Sequence, residues 1–139
     1  MAKNCDRNTS LEISSDISNI EQVENFTVRF AKKIGMPDDK RDDLVIAVSE
    51  LINNAIIHGN KLDKSKKVSI CCSAAEHKVT VIVADEGKGF DPDNVDCPID
   101  PDNILKNSGR GVFLLNKLMD SVDFSFTKEG TRITIIMKF

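Results

Sequence analysis

The chain has 139 residues, of which 40% are hydrophobic and 29% charged, and its formal net charge at pH 7 is -3. This size and composition fit one globular domain. The slight acidity excludes the broad positive field with which proteins bind a nucleic-acid backbone. No apolar run approaches the roughly 18 residues that a membrane span needs, and no signal-peptide core precedes Ser10. We therefore expect a cytoplasmic protein with neither nucleic acid nor membrane as a partner.

The first predicted elements are a short edge strand and a helix. Leu11 and Ile13 alternate with polar residues and predict the strand. Ser18 and Glu21 have the spacing of a capping box, which predicts that a helix begins there. Apolar residues then recur every three or four positions as far as Gly35, which supplies a helical stop.

A second helix follows the turn at Met36-Pro37. Asp38 or Asp39 is suited to cap its start, and the helical pattern continues to His58-Gly59. One side of this helix is apolar and should face the core; it consists of Leu44, Ala47, Val48, Leu51 and Ala55.

From Lys66 onward the period of the apolar residues changes to two, which predicts strands. Two strands contain Val68, Ile70 and Cys72, and then Val79, Val81 and Val83. A long loop from Glu86 to Ser108 and a third helix from Gly109 to Met119 come next. Two closing strands are joined at Glu129-Gly130; they contain Val122, Phe124 and Phe126, and then Ile133, Ile135, Met137 and Phe139.

The predicted order of elements is therefore βααββαββ. Strands with one apolar face, joined largely by hairpins, require helices stacked on that face. We expect an α+β fold of two layers, in which a mixed, mostly antiparallel sheet is covered on one face by three helices.

Four cysteines are present, and they form no pair of CxxC clusters: Cys5, Cys71, Cys72 and Cys97. A chain of this size has enough core to do without disulfides, so we expect free thiols.

Glu50 and Asn54 lie one turn apart on the second helix, so their side chains point the same way. An amide oxygen is a hard ligand suited to Mg²⁺, and a neighbouring carboxylate can accept a proton. His58 would extend the pair to a stripe of three, but these residue types make a poor transition-metal site. An isolated pair of this spacing is common by chance, so its meaning depends on the rest of the chain.

Asp85 shares the parity of the valines of its strand, so its side chain tends inward, and Gly87 and Gly89 follow directly. A carboxylate at the mouth of a pocket can accept a hydrogen bond from an exocyclic amine such as that of adenine. The glycines allow the backbone to approach the ring closely.

Two further segments carry candidate ligand-binding residues, and the first of them fits a phosphate. Gly109, Arg110 and Gly111 open the third helix, and Lys106 adds positive charge where a helix N-terminus attracts anions. Thr131 begins the last strand, where its hydroxyl can complete a polar wall.

Taken in order, four segments resemble the N, G1, G2 and G3 boxes of the GHKL ATPases: ELINNAIIHG at 50–59, DEGKGFDP at 85–92, GRGVFLLNKLMD at 109–120 and Gly130-Thr131. Within that superfamily the chain looks most like the anti-sigma-factor serine kinases. The resemblance covers about residues 11–139 and leaves residues 1–10 as a loose N-terminal extension. It implies a Bergerat-type, histidine-kinase-like ATPase domain that uses ATP and Mg²⁺.

The resemblance also implies a role for each of these residues. Asn54 would ligate Mg²⁺, Glu50 would be the catalytic base that activates a serine hydroxyl, and Asp85 would recognise adenine. Gly87 and Gly89 would line the base pocket and Thr131 would help to hold the adenine end. The phosphates would be wrapped by Gly109 and Gly111.

The partners that the resemblance implies are an anti-anti-sigma (STAS-type) protein, which carries the serine, a sigma factor and a second copy of the chain in a homodimer. Phosphorylation would add about two negative charges at a packed interface and free the kinase to hold sigma, which is a form of transcription regulation.

Asn107 departs from the family pattern, because kinases of this type tend to carry a basic residue there. Lys106 or Arg110 can substitute for it. An alternative is therefore an ATP-dependent binding module that sequesters its partner without phosphoryl transfer. A detached histidine-kinase catalytic domain ranks lower, because no upstream helical hairpin offers a phosphoacceptor histidine.

Overall fold

The computed structural model describes residues 8–87 and 115–139, and every strand predicted from the alternating pattern is present. The strands are β1 (Asn8–Ser14), β2 (Lys67–Ala75), β3 (Lys78–Asp85), β4 (Ser121–Thr127) and β5 (Gly130–Lys138). They form one sheet in the order β1-β2-β3-β5-β4. All four strand pairs are antiparallel. Within the described residues the sheet is therefore entirely antiparallel, not mixed as the sequence predicted.

The edge strand β1 is longer than its sequence pattern predicts. It begins at Asn8, and its pairing with β2 runs from Asn8 opposite Ser73 to Ser14 opposite Lys67. Residues 8–10 therefore lie in the sheet, although the sequence placed them in a loose extension. All three side chains are polar, so the apolar pattern could not reveal them.

One face of the sheet carries the core. Alternate residues of the inner strands are buried, and they pack with the apolar sides of helices α1 (Ile20–Lys33) and α2 (Asp38–Asn54). Residues 115–118 are helical, and Leu115 and Met119 join the same cluster. The two-layer α+β fold, with helices on one face of the sheet, is thus confirmed.

The helix starts differ from the sequence prediction. Asp16, not Ser18, accepts the capping hydrogen bond: its carboxylate binds the backbone N–H of Ser18 at 3.0 Å and caps a 3-10 turn, Ile17–Asn19, ahead of α1. Asp38 is the first residue of α2 rather than its cap, and it pairs with Arg41 at 2.8 Å. Short polar side chains occur at several positions near each start, and local sequence does not decide which one binds the free N–H groups.

The helix stop at Gly35 is confirmed. The helix α1 ends at Lys33, two residues before Gly35. Gly35 has a φ of 80°, and its N–H donates a hydrogen bond to the carbonyl of Lys32. In the part of the chain that the structure describes, no helix is long and apolar enough to cross a membrane.

Candidate functional site

Helix α2 ends in an unusual turn. Asn54 is its last α-helical residue and is only 3% exposed, and Ala55–Gly59 form a π-helical turn. The N–H of Asn60 binds the carbonyl of Ala55 at 2.8 Å, which is the wide spacing of a π-turn. The sequence prediction of regular helix up to Gly59 was therefore wrong over its last turn. Single π-turns are frequent at functional sites, because they redirect the chain without breaking the helix.

Glu50 lies one helical turn before Asn54 and is half-buried. The spacing of four residues places both on one side of α2, as the sequence predicts. Glu50 is partly accessible to solvent, whereas Asn54 is buried beside the core.

Asp85 is the last residue of β3, and two backbone groups hold its carboxylate. Its Oδ1 accepts hydrogen bonds from the N–H of Gly87 at 2.9 Å and the N–H of Thr131 at 3.1 Å. Burial raises the pKa of this carboxyl above its ordinary value, and these two hydrogen bonds and the charge of Lys66 oppose the rise.

Three glycines from separate parts of the chain surround Asp85. A Cβ on Gly59 would lie 2.2 Å from Oδ2 of Asp85, and one on Gly130 would lie 2.0 Å from its carbonyl oxygen. A Cβ on Gly87 would lie 2.0 Å from the carbonyl oxygen of Gly59. No real Cβ tolerates such distances, so the backbone itself forms the walls around this carboxylate. We call Gly59, Gly87 and Gly130 the glycine cradle.

The cradle leaves one carboxylate oxygen for a ligand. Within the described residues, hydrogen bonds reach Oδ1 of Asp85 only, and Oδ2 lies against the bare backbone of Gly59. A fixed acceptor beside side-chain-free backbone suits the exocyclic amine of a flat heterocycle. The residues present therefore fit the base of an adenine nucleotide.

Sequence reasoning placed Gly87, Thr131 and Asp85 in the site, and the structure brings these three together. It did not include Gly59 and Gly130 among the site residues, although both stand in the boxes that carry the resemblance. Gly89, Lys106, Gly109, Arg110 and Gly111 lie outside the described residues, as does Asn107.

Asn60 is a further residue that sequence reasoning missed. It is 1% exposed, and its side chain joins three segments of the fold. The only signal in the sequence is its position, as a polar residue directly after the NAIIHG segment. Its burial, which makes its hydrogen bonds necessary, is visible only in the structure.

No group of three or more His, Cys, Asp or Glu side chains in residues 8–87 and 115–139 is arranged to hold a metal ion. The amide oxygen of Asn54 is a type of ligand that fits a magnesium ion bound together with phosphate oxygens.

Comparison with known proteins gives concordant results. The family model described as histidine kinase-like ATPase domain matches residues 13–137. The serine-protein kinase RsbW of Bacillus subtilis is 40% identical over 98 residues, which are 66% of this chain and 61% of that protein. The anti-sigma F factor of Clostridium acetobutylicum is 33% identical over 115 residues, which cover 79% of this chain and 78% of that protein. The match thus spans less than two thirds of the kinase's length.

Solved structures share the fold. The RsbU and RsbW domains of a Mycobacterium tuberculosis protein superpose with a TM-score of 0.70 at 18% identity, covering 94% of this chain and 32% of that one. The histidine kinase domain of a blue-light activated kinase from Erythrobacter litoralis gives 0.58 at 17% identity, covering 91% of this chain and 61% of that one.

Proposed function

Because the chain belongs to the histidine kinase-like ATPase domain family, we propose that it is an ATP-dependent protein serine kinase of the anti-sigma type. It phosphorylates a serine of an anti-anti-sigma protein, which competes with a sigma factor for the kinase. Once the anti-anti-sigma protein is phosphorylated, the kinase holds the sigma factor. The observation that carries the proposal is the Asp85 carboxylate within the glycine cradle, with Oδ1 bound to backbone and Oδ2 beside Gly59.

Recognition of the base is assigned to Asp85. Its Oδ2 accepts a hydrogen bond from the exocyclic amine of adenine, and the cradle lets the ring lie against the backbone. Guanine presents an oxygen at the corresponding position, and this oxygen would face the carboxylate and repel it. The site is therefore selective for ATP over GTP.

Asn54 is the residue that would hold Mg²⁺ together with the phosphates of ATP. When bound, the ion neutralises charge on the transferring phosphoryl group. The position of Asn54 as the last α-helical residue of α2, directly before the π-turn, supports this assignment. Gly109, Gly111, Lys106 and Arg110 are proposed to bind the phosphates on the strength of the sequence alone.

Glu50 is proposed as the general base. Glu50 is half-buried, and its carboxylate takes the proton from the serine hydroxyl of the partner protein. The serine oxygen then forms a bond to the γ-phosphorus as the bond to the β-phosphate oxygen breaks, and ADP leaves. Positioning and charge stabilisation account for most catalysis in such transfers.

The partner assignment is supported by the relatives of the chain, which include a serine-protein kinase and an anti-sigma F factor. Cytoplasmic location and assembly into a homodimer remain predictions of the same proposal.

A sequestering module that binds ATP without transferring phosphate is the second candidate, and Asn107 in place of a basic residue favours it. Loss of a cation near the transferring group would remove several kcal/mol of transition-state stabilisation. Glu50 favours the kinase, because a module of this kind has no need of a base.

The test is transfer of the labelled γ-phosphate from Mg·ATP to a purified STAS-type anti-anti-sigma protein, with the Glu50→Gln variant in parallel. The kinase predicts label on a partner serine with the wild type, and at least about a hundredfold slower transfer with Glu50→Gln. Nucleotide binding should be equal in the two proteins. Equal binding with no transfer by the wild type would instead establish the sequestering module.

A further inference from the structure

We propose that Asn60 is a positioning residue for recognition of the nucleotide base, because it fixes the turn that presents Asp85 to the ligand. This inference rests on the proposed function and adds a residue to it. Asn60 itself does not touch the nucleotide; it acts through the Asp85-Glu86 peptide.

The side chain of Asn60 uses both ends of its amide. Its Nδ2 donates to Oγ of Ser15 at 2.7 Å and to the carbonyl of Lys67 at 3.0 Å. Its Oδ1 accepts from the backbone N–H of Glu86 at 2.8 Å. These partners fix the orientation of the amide, since only one assignment of N and O satisfies all three. Asn60 thus joins the segment after β1, strand β2 and the segment after β3.

Ser15 stabilises this arrangement from behind. It is fully buried, and its Oγ donates to the carbonyl of Lys66 at 2.8 Å, so the hydroxyl oxygen remains as the acceptor for Asn60. A buried network whose members all have partners is rigid and holds its members in one geometry.

The connection to Asp85 runs through one peptide plane. The N–H of Glu86 and the carbonyl of Asp85 belong to the same planar unit, so Asn60 holds one side of it. Gly130 packs against the carbonyl oxygen on the other side, where a Cβ would lie only 2.0 Å away. The backbone at Asp85 is thereby fixed from both sides.

Glu86 is also held through its side chain, because Lys67 donates its backbone N–H to Oε1 of Glu86. The next residue, Gly87, binds Oδ1 of Asp85. Loss of the Asn60 hydrogen bond would release the Glu86 N–H, and with it the turn that orients the carboxylate. The expected consequence is weaker discrimination of the base, in addition to any loss of stability.

The experiment compares two ligands by calorimetric titration in Mg²⁺: ATP, and purine riboside triphosphate, which lacks the exocyclic amine. The measured quantity is the ratio of their dissociation constants. For the wild type we expect about tenfold or more in favour of ATP, as for a hydrogen bond to a charged group. For Asn60→Ala we expect a ratio close to one. Should Asn60→Ala fail to fold, Asn60→Ser is used in its place, because its side chain is also too short to reach the N–H of Glu86.

Two variants serve as matched controls. Asn60→Asp keeps an oxygen for the N–H of Glu86 but loses both donated bonds, so it should keep most of the ratio despite a lower unfolding temperature. Ser15→Ala removes the far end of the network but leaves the bonds of Asn60 to Lys67 and Glu86, so it should also lower the unfolding temperature without changing the ratio. A purely structural role would leave the ratio unchanged in every variant.

The inference is overturned if Asn60→Ala discriminates as well as the wild type, or if Asn60→Asp or Ser15→Ala loses discrimination to the same extent. A wild type that binds neither ligand contradicts the proposed function, and the inference with it. The wild-type titration therefore separates the two kinds of failure.

Discussion

The backbone N–H of Thr131 donates a 3.1 Å hydrogen bond to Oδ1 of Asp85, although the two residues are 46 positions apart in the sequence. Gly87 donates to the same oxygen from the other side. The carboxylate is therefore held by Oδ1, and its other oxygen faces Gly59. Both the stability and the binding behaviour of the site follow from this asymmetry.

Asp85→Asn should separate stability from binding. An asparagine oxygen can still accept from Gly87 and Thr131, and the substitution removes a charge that burial disfavours. We expect an unfolding temperature at pH 7 that is equal to or higher than that of the wild type. ATP should bind roughly 10- to 100-fold more weakly, because a hydrogen bond to a charged acceptor is lost. Thermal unfolding and calorimetric titration check the two parts, and unchanged ATP affinity would contradict the role of Asp85.

The same pair of proteins predicts a pH dependence. Burial raises the pKa of Asp85 in the folded state, so between its unfolded and folded pKa values the folded state binds more protons. The free energy of unfolding that Asp85 contributes therefore falls as pH rises from the unfolded to the folded pKa. Above the folded pKa, Asp85 destabilises the folded state by its full amount. The unfolding temperature of Asp85→Asn minus that of the wild type should increase from about pH 4 towards neutrality. A difference that shrinks with rising pH would show that the pKa is lowered instead.

Gly59→Ala should damage binding through Asp85. The new Cβ would meet Oδ2 at 2.2 Å and Cγ at 2.5 Å, so the carboxylate would have to leave its hydrogen bonds or the π-turn would have to shift. We expect at least about tenfold weaker ATP binding, from loss of the hydrogen bond to the base.

Gly35→Ala is the control for Gly59→Ala. Among residues 8–87 and 115–139, a Cβ on Gly35 would meet nothing within 4 Å, but Gly35 has a φ of 80°. This substitution should cost about 1–2 kcal/mol of stability and leave ATP binding unchanged. If Gly59→Ala binds ATP like Gly35→Ala, the glycine cradle does not shape the ligand site.

The adjacent cysteines should differ in reactivity. Cys71 is exposed, whereas Cys72 is buried on the core face of β2, and burial raises the pKa of its thiol to about 12. In a Cys5→Ser/Cys97→Ser background, an alkylating reagent at pH 7.5 should add one group to the native protein and two after denaturation, as counted by intact mass. With Cys71→Ser added, native labelling should disappear. Rapid double labelling of the native protein would contradict the burial of Cys72.

Local pattern was sufficient for the strands other than β1 and for the apolar side of α2. Val79, Val81 and Val83 alternate with less buried residues, and all three are buried in the structure, because the period of a strand is a purely local property. The position of Glu50 and Asn54 on one side of α2 followed from the helical period in the same way.

Local pattern was insufficient where contacts join distant segments. Two of the three partners of Asn60 lie 45 and 26 positions away, at Ser15 and Glu86, so no short sequence window contains them. The π-turn after Asn54 also depends on a distant contact, because it brings Gly59 against Asp85. The spacing of apolar residues within the helix carries no information about this contact.

The most direct test of the central claim is a calorimetric titration of Mg·ATP into the wild type, Asn54→Ala and Asn53→Ala. Asn53 is the neighbouring half-buried asparagine on a different side of α2, so its variant controls for the loss of an amide at the end of this helix. We predict saturable binding at one site per chain for the wild type and Asn53→Ala, and strongly weakened binding for Asn54→Ala. No binding to the wild type, or equal binding to Asn54→Ala, would contradict a nucleotide site at the end of α2.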